Sequence, residues 1–382
     1  MNSIGTRAAP TSTAMSKDAG HRVAQRERPV VSVIVIFLDP GTFLNEAIES
    51  IRRQTFAHWE VVLVDDGSTD GSSDFARDLC GQEPEKFQYL EHPGHENRGT
   101  SASRNAGLAA ARGRYVAFLD ADDVYLPSRL EAHVGILDSM PDVDMVQSDH
   151  LWWTSWQNDA DRIDEDHSRP FAWAEARIVS PPEALMTVLA APLMSAATCS
   201  ITLRRSVALA VGGFEECVHN VYEDQAFLTK IYLERQMFAL PECLARVRLH
   251  TSSLMSSLAS TAFNKAGTWQ RENRALIGWQ RQYIEGGGHQ QPVLEMLLSR
   301  RERGLERMPF RGFTAMLRGR TKAVLRAVLP NSAYVSIMRR RRRRLDEQSW
   351  QQLRELQQQL KHYKKTEQDE QSRVDQHQAS SS

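Results

Sequence analysis

The chain has 382 residues, of which 41% are hydrophobic, so it is long enough to bury a sizeable core, and a chain disordered throughout is excluded. The formal net charge is -1, but basic residues crowd into one C-terminal region, so the average charge says little about partners. No run of about 18 apolar residues is present, which argues against a membrane-spanning helix.

Residues 1–28 have no apolar periodicity and are predicted to form a disordered leader. They also lack the apolar stretch of a secretory signal. The cysteines lie far apart and form no CxxC pair: Cys80, Cys199, Cys217 and Cys243. This spacing predicts neither a zinc site nor a disulfide framework, and a reducing cytoplasm is the expected compartment.

Strands and helices alternate from residue 29 onward. The apolar run "VVSVIVIF" predicts a strand, "TFLNEAIESIRRQ" a helix and "EVVLVDD" a second strand. The alternation continues through a helix at about 71–80, the strand "KFQYLEH", the helix "SASRNAGLAAARG", the strand "RYVAFLD", the helix "SRLEAHVGILDSM" and the strand "DVDMVQSD". This pattern predicts an α/β fold with a Rossmann-like, mainly parallel sheet flanked by helices. Ligands of such sheets bind beyond the carboxyl ends of the strands.

Periodicity is poorer between residues 150 and 220, where "LWWTSW" and an Asp-rich stretch predict an inserted loop or cover. Residues 221–238 recover a helical pattern, and the chain after "LHTSS" is predicted to be mainly helical to about residue 338. Six arginines, Arg339 to Arg344, and a polar Gln-rich tail follow. The tail is predicted to be a solvated helix or disordered.

Three carboxylates, Asp120, Asp122 and Asp123, follow the predicted strand "RYVAFLD". Carboxylates at the end of a strand can converge on a hard divalent cation such as Mg²⁺ or Mn²⁺, which takes phosphate oxygens as further ligands. They can equally form a solvated turn and cap the helix that follows. The spacing alone leaves both interpretations open.

A second acidic pair, Asp65 and Asp66, ends another strand in "VVLVDDGSTDGS". Asp66 could accept hydrogen bonds from a base or a ribose, or it could form an Asx turn that opens a helix.

Six segments occur together in a particular order: "VSVIVIFLD", "VVLVDDGSTD", "NRGTSASRNAG", "GRYVAFLDADD", "VGGFEE" and "YEDQAFLTKI". This ordered set, over about residues 30–250, resembles the family 2 glycosyltransferases, which are inverting enzymes with the GT-A fold. The resemblance implies a nucleotide-sugar donor and a divalent cation, Mg²⁺ or Mn²⁺. One departure is "FLDP", which stands where many relatives have a Tyr-Asn pair.

The resemblance also implies roles for single residues of the two acidic clusters. Asp66 would contact the nucleotide base, with Asp65 as a neighbouring contributor. Asp120 and Asp122 match the DxD motif, in which Asp120 would lie near the ribose and the metal and Asp122 would be the principal metal ligand. Asp123 would support the site or cap the next helix.

The resemblance places the catalytic base in "YEDQ". Asp224 matches the base, and Glu223 would help to orient the site. An inverting transfer needs one base that takes a proton from the attacking hydroxyl. By themselves, Glu223 and Asp224 could simply begin a helix, where its dipole favours negative charge.

Three further residues match family positions with less specificity. Arg104 and Asn105 would line the nucleotide pocket, or they would lie on an exposed helix face. His250, in "RLHTSS", would lie near the diphosphate and the metal, or it would be a structural histidine. The QxxRW signature of processive synthases is missing after "YEDQAFLTKIYLERQMF", which favours an enzyme that adds one sugar.

The segment between Arg300 and Arg344 is strongly basic and contains only two acidic residues, Glu302 and Glu306. Apolar residues recur through it at helical spacing, so a helix could lie on an anionic membrane surface and bring the enzyme to a lipid-linked acceptor. An ordinary packing helix followed by a solvated charge run remains the alternative. Nucleic-acid binding is disfavoured because no recognition fold or stacking module is evident.

The sequence therefore predicts a glycosyltransferase domain at 29–250, a mainly helical basic extension at 251–345 and a Gln-rich tail at 346–382. The expected function is transfer of a sugar from a nucleotide-diphosphate donor, a UDP-sugar, to a hydroxyl of a glycan or lipid-linked acceptor in cell-envelope or surface polysaccharide synthesis. The expected location is the cytoplasm, with peripheral attachment to the plasma membrane. The alternatives are a noncatalytic nucleotide-sugar or membrane-binding protein of the same fold, and a nucleotidyltransferase.

Overall fold

A computed structural model of the protein describes residues 28–156, 166–168, 173, 175–191, 196–218, 221–250 and 268–306. The predicted leader, the arginine run at 339–344 and the Gln-rich tail lie outside the described residues, so the predictions for them stay predictions.

The first half of the chain alternates strands and helices, as the sequence predicts. The elements are β1 (Val31–Phe37), α1 (Phe43–Arg52), β2 (Trp59–Asp65), α2 (Ser72–Gln82), β3 (Phe87–Glu91), α3 (Thr100–Ala110), β4 (Tyr115–Asp120), β5 (Val124–Tyr125), α4 (Arg129–Ser139) and β6 (Met145–Trp153). The second half continues with β7 (His167–Ser168), β8 (Arg177–Val179), α5 (Glu183–Ala190), β9 (Ile201–Arg204), α6 (Arg205–Ala210), α7 (Glu223–Glu234), β10 (Met237–Arg248), α8 (Thr268–Gly286) and α9 (Pro292–Glu306). Short 3₁₀ turns lie at Pro93–His95 and Thr198–Ser200.

The strands form one sheet in the order β3-β2-β1-β4-β9-β6-β10-β5, with β7 beside β6 and β8 beside β10. The neighbours from β3 through β2 and β1 to β4 run parallel, as do β6 and β10. The predicted α/β fold with a mainly parallel sheet is confirmed.

Regular elements, including α5, α6 and β9, correct the prediction of a loop or cover between residues 150 and 220. β9 lies in the middle of the sheet and runs antiparallel to both β4 and β6. Its four residues, "ITLR", are too few to show a periodicity, so tertiary pairing rather than local pattern identifies it as a strand. The helical pattern at 221–238 is also too long, because α7 ends at Glu234 and the long strand β10 begins at Met237.

Both faces of the sheet are covered by helices. One core layer joins Ile34 and Ile36 of β1 to Phe227 of α7 and Ile277 of α8. The opposite layer joins Val33 of β1 to the buried faces of α1, α2 and α4. Because successive side chains of a strand point to opposite faces, the continuous apolar run of β1 supplies both layers.

Helices α8 and α9 share the core layer that contains α7. Seven of their apolar side chains are at most 4% exposed there: Ile277, Ile284, Val293, Leu294, Leu297, Leu298 and Leu305. None of the described helices is both long enough and apolar enough to cross a membrane.

Candidate active site

The two acidic clusters lie at the same edge of the sheet. β1 pairs with β2 so that Phe37 is opposite Asp65, and with β4 so that Ile36 is opposite Asp120. The carboxyl ends of these parallel strands therefore bring Asp65 and Asp120 to one edge, where ligands of parallel α/β sheets bind.

Asp65 is completely buried and holds the turn after β2. Its carboxylate accepts backbone N–H bonds from Gly67 and Ser68 at 3.1 and 2.8 Å, and hydroxyl bonds from Ser73 and Tyr89. Burial raises the pKa of Asp65, but these hydrogen bonds together outweigh it and hold the pKa below its usual value. Asp65 thus shapes the turn, and its contact with a nucleotide stays a prediction.

Asp66 holds the entry to α3. It is 6% exposed, and its carboxylate accepts N–H bonds from Arg98 at 2.8 Å and from Gly99 at 3.0 Å. Since α3 carries Arg104, the carboxylate of Asp66 orients the helix that reaches into the site. Its contact with a nucleotide base stays a prediction.

Arg104 connects the two segments that the sequence marks for donor binding and for catalysis. Its Nη2 donates to Oδ1 of Asp120 at 2.8 Å, and its Nη1 donates to Oε1 of Glu223 at 2.8 Å. Burial disfavours the charge of Arg104, but the adjacent carboxylates of Asp120 and Glu223 outweigh this and raise its pKa. A buried, always charged guanidinium therefore fixes the "DAD" segment against the first turn of α7.

Asp122 and His250, two of the predicted metal ligands, lie in direct contact. Nε2 of His250 is 3.0 Å from Oδ2 of Asp122. This is the length of an ordinary hydrogen bond, and neighbouring ligands of one Mg²⁺ ion would also lie about 3.0 Å apart. The ring of His250 also packs against Phe43, with centroids 4.8 Å apart, which fixes its orientation.

The donor groups at this place fit Mg²⁺ or Mn²⁺. The side chains of Asp120 and Asp122 are 34% and 32% exposed, which leaves access for water and for phosphate oxygens. Two carboxylates and one imidazole make an oxygen-rich set, which suits these cations. Burial raises the pKa of Asp120, while Arg104 opposes this rise by stabilising the carboxylate. That Asp120, Asp122 and His250 bind a metal stays a prediction.

A separate group of possible ligands, Asp65, Glu91 and His95, has ligand atoms within 4.8 Å of one another. Arg77 donates to the carboxylate of Glu91 at 2.6 Å, so a positive charge of the chain already pairs with this group. We assign no metal there.

Asp123 is buried and binds the end of β10. Its Oδ1 accepts the backbone N–H of Arg248 at 3.0 Å, and the side chain is 5% exposed. Burial raises the pKa of Asp123, and the charges of Asp122 and Asp120 raise it further. The prediction that Asp123 caps the next helix is wrong, because β5 follows it and α4 begins only at Arg129.

Arg248, at the end of β10, is a residue of the site that the motifs did not reveal. Its Nε donates to the carbonyl of Asp122 at 2.8 Å, and its Nη2 donates to Glu46 of α1 at 2.6 Å. Its guanidinium lies within about 5 Å of three aromatic rings, those of Phe43, Trp153 and Trp156. The only local signal is its position two residues before His250, which does not distinguish it from the many other arginines.

Asp224 lies in the first turn of α7, beside Glu223. Burial and the negative charge of Glu223 raise the pKa of Asp224 to about 7, although Arg104 opposes the rise. Its Oδ1 accepts the N–H of Gln225 at 2.7 Å. A carboxylate with a pKa near neutrality accepts a proton more readily than an ordinary aspartate, which suits a general base.

Asn105 contacts the "VGGFEE" turn. Its Nδ2 donates to the carbonyl of Phe214 at 3.0 Å and to Glu216 at 3.1 Å, and its Oδ1 accepts the N–H of Phe214 at 2.8 Å. Both ends of the amide therefore hold this turn against α3. Its contact with a nucleotide stays a prediction.

The part of the chain that carries both acidic clusters is similar to a known protein family. Residues 32–170 match the model of glycosyl transferase family 2. This segment of the chain is therefore similar to glycosyl transferase family 2. The match includes both acidic clusters and Arg104, and it ends before Glu223, Asp224 and His250.

Curated glycosyltransferases are similar to about a quarter of the chain. An uncharacterized glycosyltransferase of Nostoc sp. is 41% identical over 109 residues, which are 28% of this chain and 33% of that protein. The putative teichuronic acid biosynthesis glycosyltransferase TuaG of Bacillus subtilis is 39% identical over 110 residues, covering 27% of this chain and 40% of TuaG. The chain thus spans less than half the length of these curated relatives.

Two solved structures share the fold of this chain. Residues 1–349 of S. aureus TarS in complex with UDP-GlcNAc superpose with a TM-score of 0.50 and 20% identity, covering 65% of this chain and 66% of that one. The UDP complex of the same TarS fragment gives a TM-score of 0.50 and 17% identity, covering 74% and 91%. The fold is therefore of the GT-A type that the motifs predict.

Proposed function

We propose that the protein is an inverting glycosyltransferase that moves a sugar from a nucleotide-diphosphate donor, a UDP-sugar, to a hydroxyl of a glycan or lipid-linked acceptor. The observation that supports this best is the bridge through Arg104. It joins Asp120, beside the Asp122–His250 pair, to Glu223, which precedes Asp224. The proposed cation ligands and the proposed base, whose pKa is raised to about 7, would thereby be held in one site.

Asp224 would act as the single base of the transfer. Its carboxylate would take the proton of the acceptor hydroxyl as the oxygen attacks the anomeric carbon opposite the leaving diphosphate. The C–O bond to the acceptor forms as the bond to the diphosphate oxygen breaks, so no covalent protein intermediate is needed. Glu223, fixed by Arg104, would hold the first turn of α7 in place.

Asp122 and His250, with Asp120, would hold a Mg²⁺ or Mn²⁺ ion. When bound, such a cation neutralises the charge that develops on the leaving diphosphate. Arg248 would keep these ligands in place by binding the carbonyl of Asp122 and the carboxylate of Asp123.

Release of nucleoside diphosphate tests the proposed function. The full chain is incubated with Mn²⁺ and a panel of UDP-, GDP- and dTDP-sugars, with and without saccharide acceptors and lipid extract. We expect one donor to be turned over, slowly to water and faster with an acceptor. If no member of the panel is consumed, and UDP and GDP with Mn²⁺ do not bind, the proposal is wrong. Release of nucleoside monophosphate would instead indicate a different phosphoryl chemistry.

The pH dependence of transfer follows from the raised pKa of Asp224. Below about pH 7 the carboxylate is protonated and cannot accept a proton, so kcat/KM should fall roughly tenfold per pH unit on the acid side and level off above pH 7. Initial rates between about pH 5.5 and 8.5 measure this. A profile that is flat over this range would argue against Asp224 as the base.

The setting that we propose is assembly of a cell-envelope or surface polysaccharide at the inner face of the plasma membrane. TuaG, named for teichuronic acid biosynthesis, supports the setting. The basic segment after Arg300 supports the location. We expect the full chain to sediment with vesicles that contain anionic lipids and a chain ending at residue 306 to sediment less. Equal sedimentation of the two would contradict the role of the basic segment.

A further inference from the structure

The residue that precedes the proposed catalytic pair has an unfavourable backbone conformation. Tyr222 stands immediately before Glu223 and has φ 72° and ψ 9°, in the left-handed region. A bulky side chain with a Cβ rarely adopts this region, so the surrounding structure must hold it there. The direction in which Asp224 leaves the turn depends on this conformation.

A side chain of α8 holds Tyr222. Nδ2 of Asn273 donates to the hydroxyl of Tyr222 at 2.6 Å, and Asn273 is only 3% exposed. Its Oδ1 accepts from Nη2 of Arg301 in α9 at 3.2 Å. The same Nη2 lies 3.2 Å from Oε1 of Gln225, the residue after Asp224. Hydrogen bonds from α8 and α9 therefore hold the residues on either side of the Glu223–Asp224 pair, which are Tyr222 and Gln225.

The helices that carry these groups are firmly anchored. Ile277 and Ile284 of α8 and Leu294 and Leu297 of α9 are at most 4% exposed and belong to the same core layer as Phe227 of α7. A polar side chain on such a helix is a fixed reference point, because moving it would open the core.

We propose that Asn273 is a positioning residue for catalysis, which holds the turn at Tyr222 so that Asp224 is aimed at the reacting hydroxyl. The inference rests on the proposed function, since it gives a role to residues around the proposed base. It assigns a part in the reaction to α8, which lies outside the segment that matches the family.

A double-mutant cycle tests the contact. Asn273→Leu keeps the approximate volume and removes the donor, while Tyr222→Phe removes the hydroxyl. We expect each to lower kcat at least about tenfold with little change in the KM of the donor, because displacement of a reacting group by about 1 Å is enough for such losses. The double variant should be no slower than the slower single variant, since both remove the same hydrogen bond.

Gln280→Met is the matched control. Nε2 of Gln280, two turns further along α8, donates to Oγ1 of Thr229 in α7 at 2.8 Å, and Gln280 is as buried as Asn273. Its loss weakens the same helix interface away from the turn, so the melting temperature should fall as in Asn273→Leu while kcat stays near that of the wild type. Wild-type kcat in Asn273→Leu, or an equal loss of kcat in Gln280→Met, would overturn the positioning role.

Hydrogen exchange separates this inference from the proposed function. The N–H of Ala226 donates to the carbonyl of Tyr222 at 2.9 Å, so its exchange reports on the turn. Asn273→Leu should speed this exchange at least about tenfold, and Gln280→Met should not. Unchanged exchange would overturn the inference even if no donor were turned over. Failure of the wild-type chain both to consume any donor and to bind UDP or GDP with Mn²⁺ would instead refute the proposed function.

Discussion

Replacing Asp224 with asparagine should lower the rate of sugar transfer by about 10²- to 10⁴-fold and leave nucleotide binding almost unchanged. The asparagine amide keeps the shape of the side chain but cannot take the proton of the attacking hydroxyl. The groups that surround the predicted donor site, including Arg104 and Asp120, keep their contacts, so UDP with Mn²⁺ should still bind. Rates of nucleotide release and calorimetric titration with UDP measure the two effects separately.

Asp144→Asn is the control for this variant. Asp144 is also a partly buried aspartate whose pKa burial raises, but it precedes β6 at the amino end of the strand, away from the acidic edge of the sheet. Its replacement should leave the transfer rate within about twofold of the wild type. If Asp224→Asn transfers sugar normally, Asp224 is not the base.

The second large effect is expected on metal binding. Asp122→Asn should weaken Mn²⁺ binding at least about tenfold, because it replaces a charged ligand with a neutral one beside His250. The loss should be greater in the presence of UDP, whose phosphates would share the ion. Electron paramagnetic resonance of free Mn²⁺ measures this affinity without any enzymatic assay.

Asp74→Asn is the matched control for Asp122→Asn. The side chain of Asp74 is 86% exposed on α2 and pairs only loosely with Arg77 at 3.2 Å, so its charge is solvated. It should leave the Mn²⁺ affinity unchanged. Unaltered Mn²⁺ binding in Asp122→Asn would show that Asp122 is not a metal ligand.

The parts of the fold that sequence reasoning predicted are those with long continuous apolar runs. β1, β2 and β4 are buried on both faces, and the helices between them carry one apolar face, so local pattern and tertiary position agree. β9 and β10 were not predicted. β9 is too short for a pattern, and β10 includes exposed residues in "LPECL", so its pairing with β6 determines it.

The site shows a similar division between residues that motifs mark and residues that only the fold brings in. The resemblance of six ordered segments to a known family marked Asp122 and Asp224, because spacing alone left their roles open. It could not show that the carboxylate of Asp66 accepts the N–H groups of Arg98 and Gly99, because these lie 32 and 33 residues away in sequence. Arg248 and Asn273 reach the site from elements that are distant in sequence, so no local sequence pattern predicts their contacts.

The stereochemistry of the product tests the central claim most directly. The claim is that Asp224 serves as the single base of a direct displacement at the anomeric carbon. ¹H NMR of the first turnovers, with the α-linked donor that the panel identifies, reports the anomeric configuration through the coupling of the anomeric proton. We predict that the wild type forms a β-configured product. Asp224→Asn should form this product much more slowly. A product that keeps the α-configuration would contradict the account.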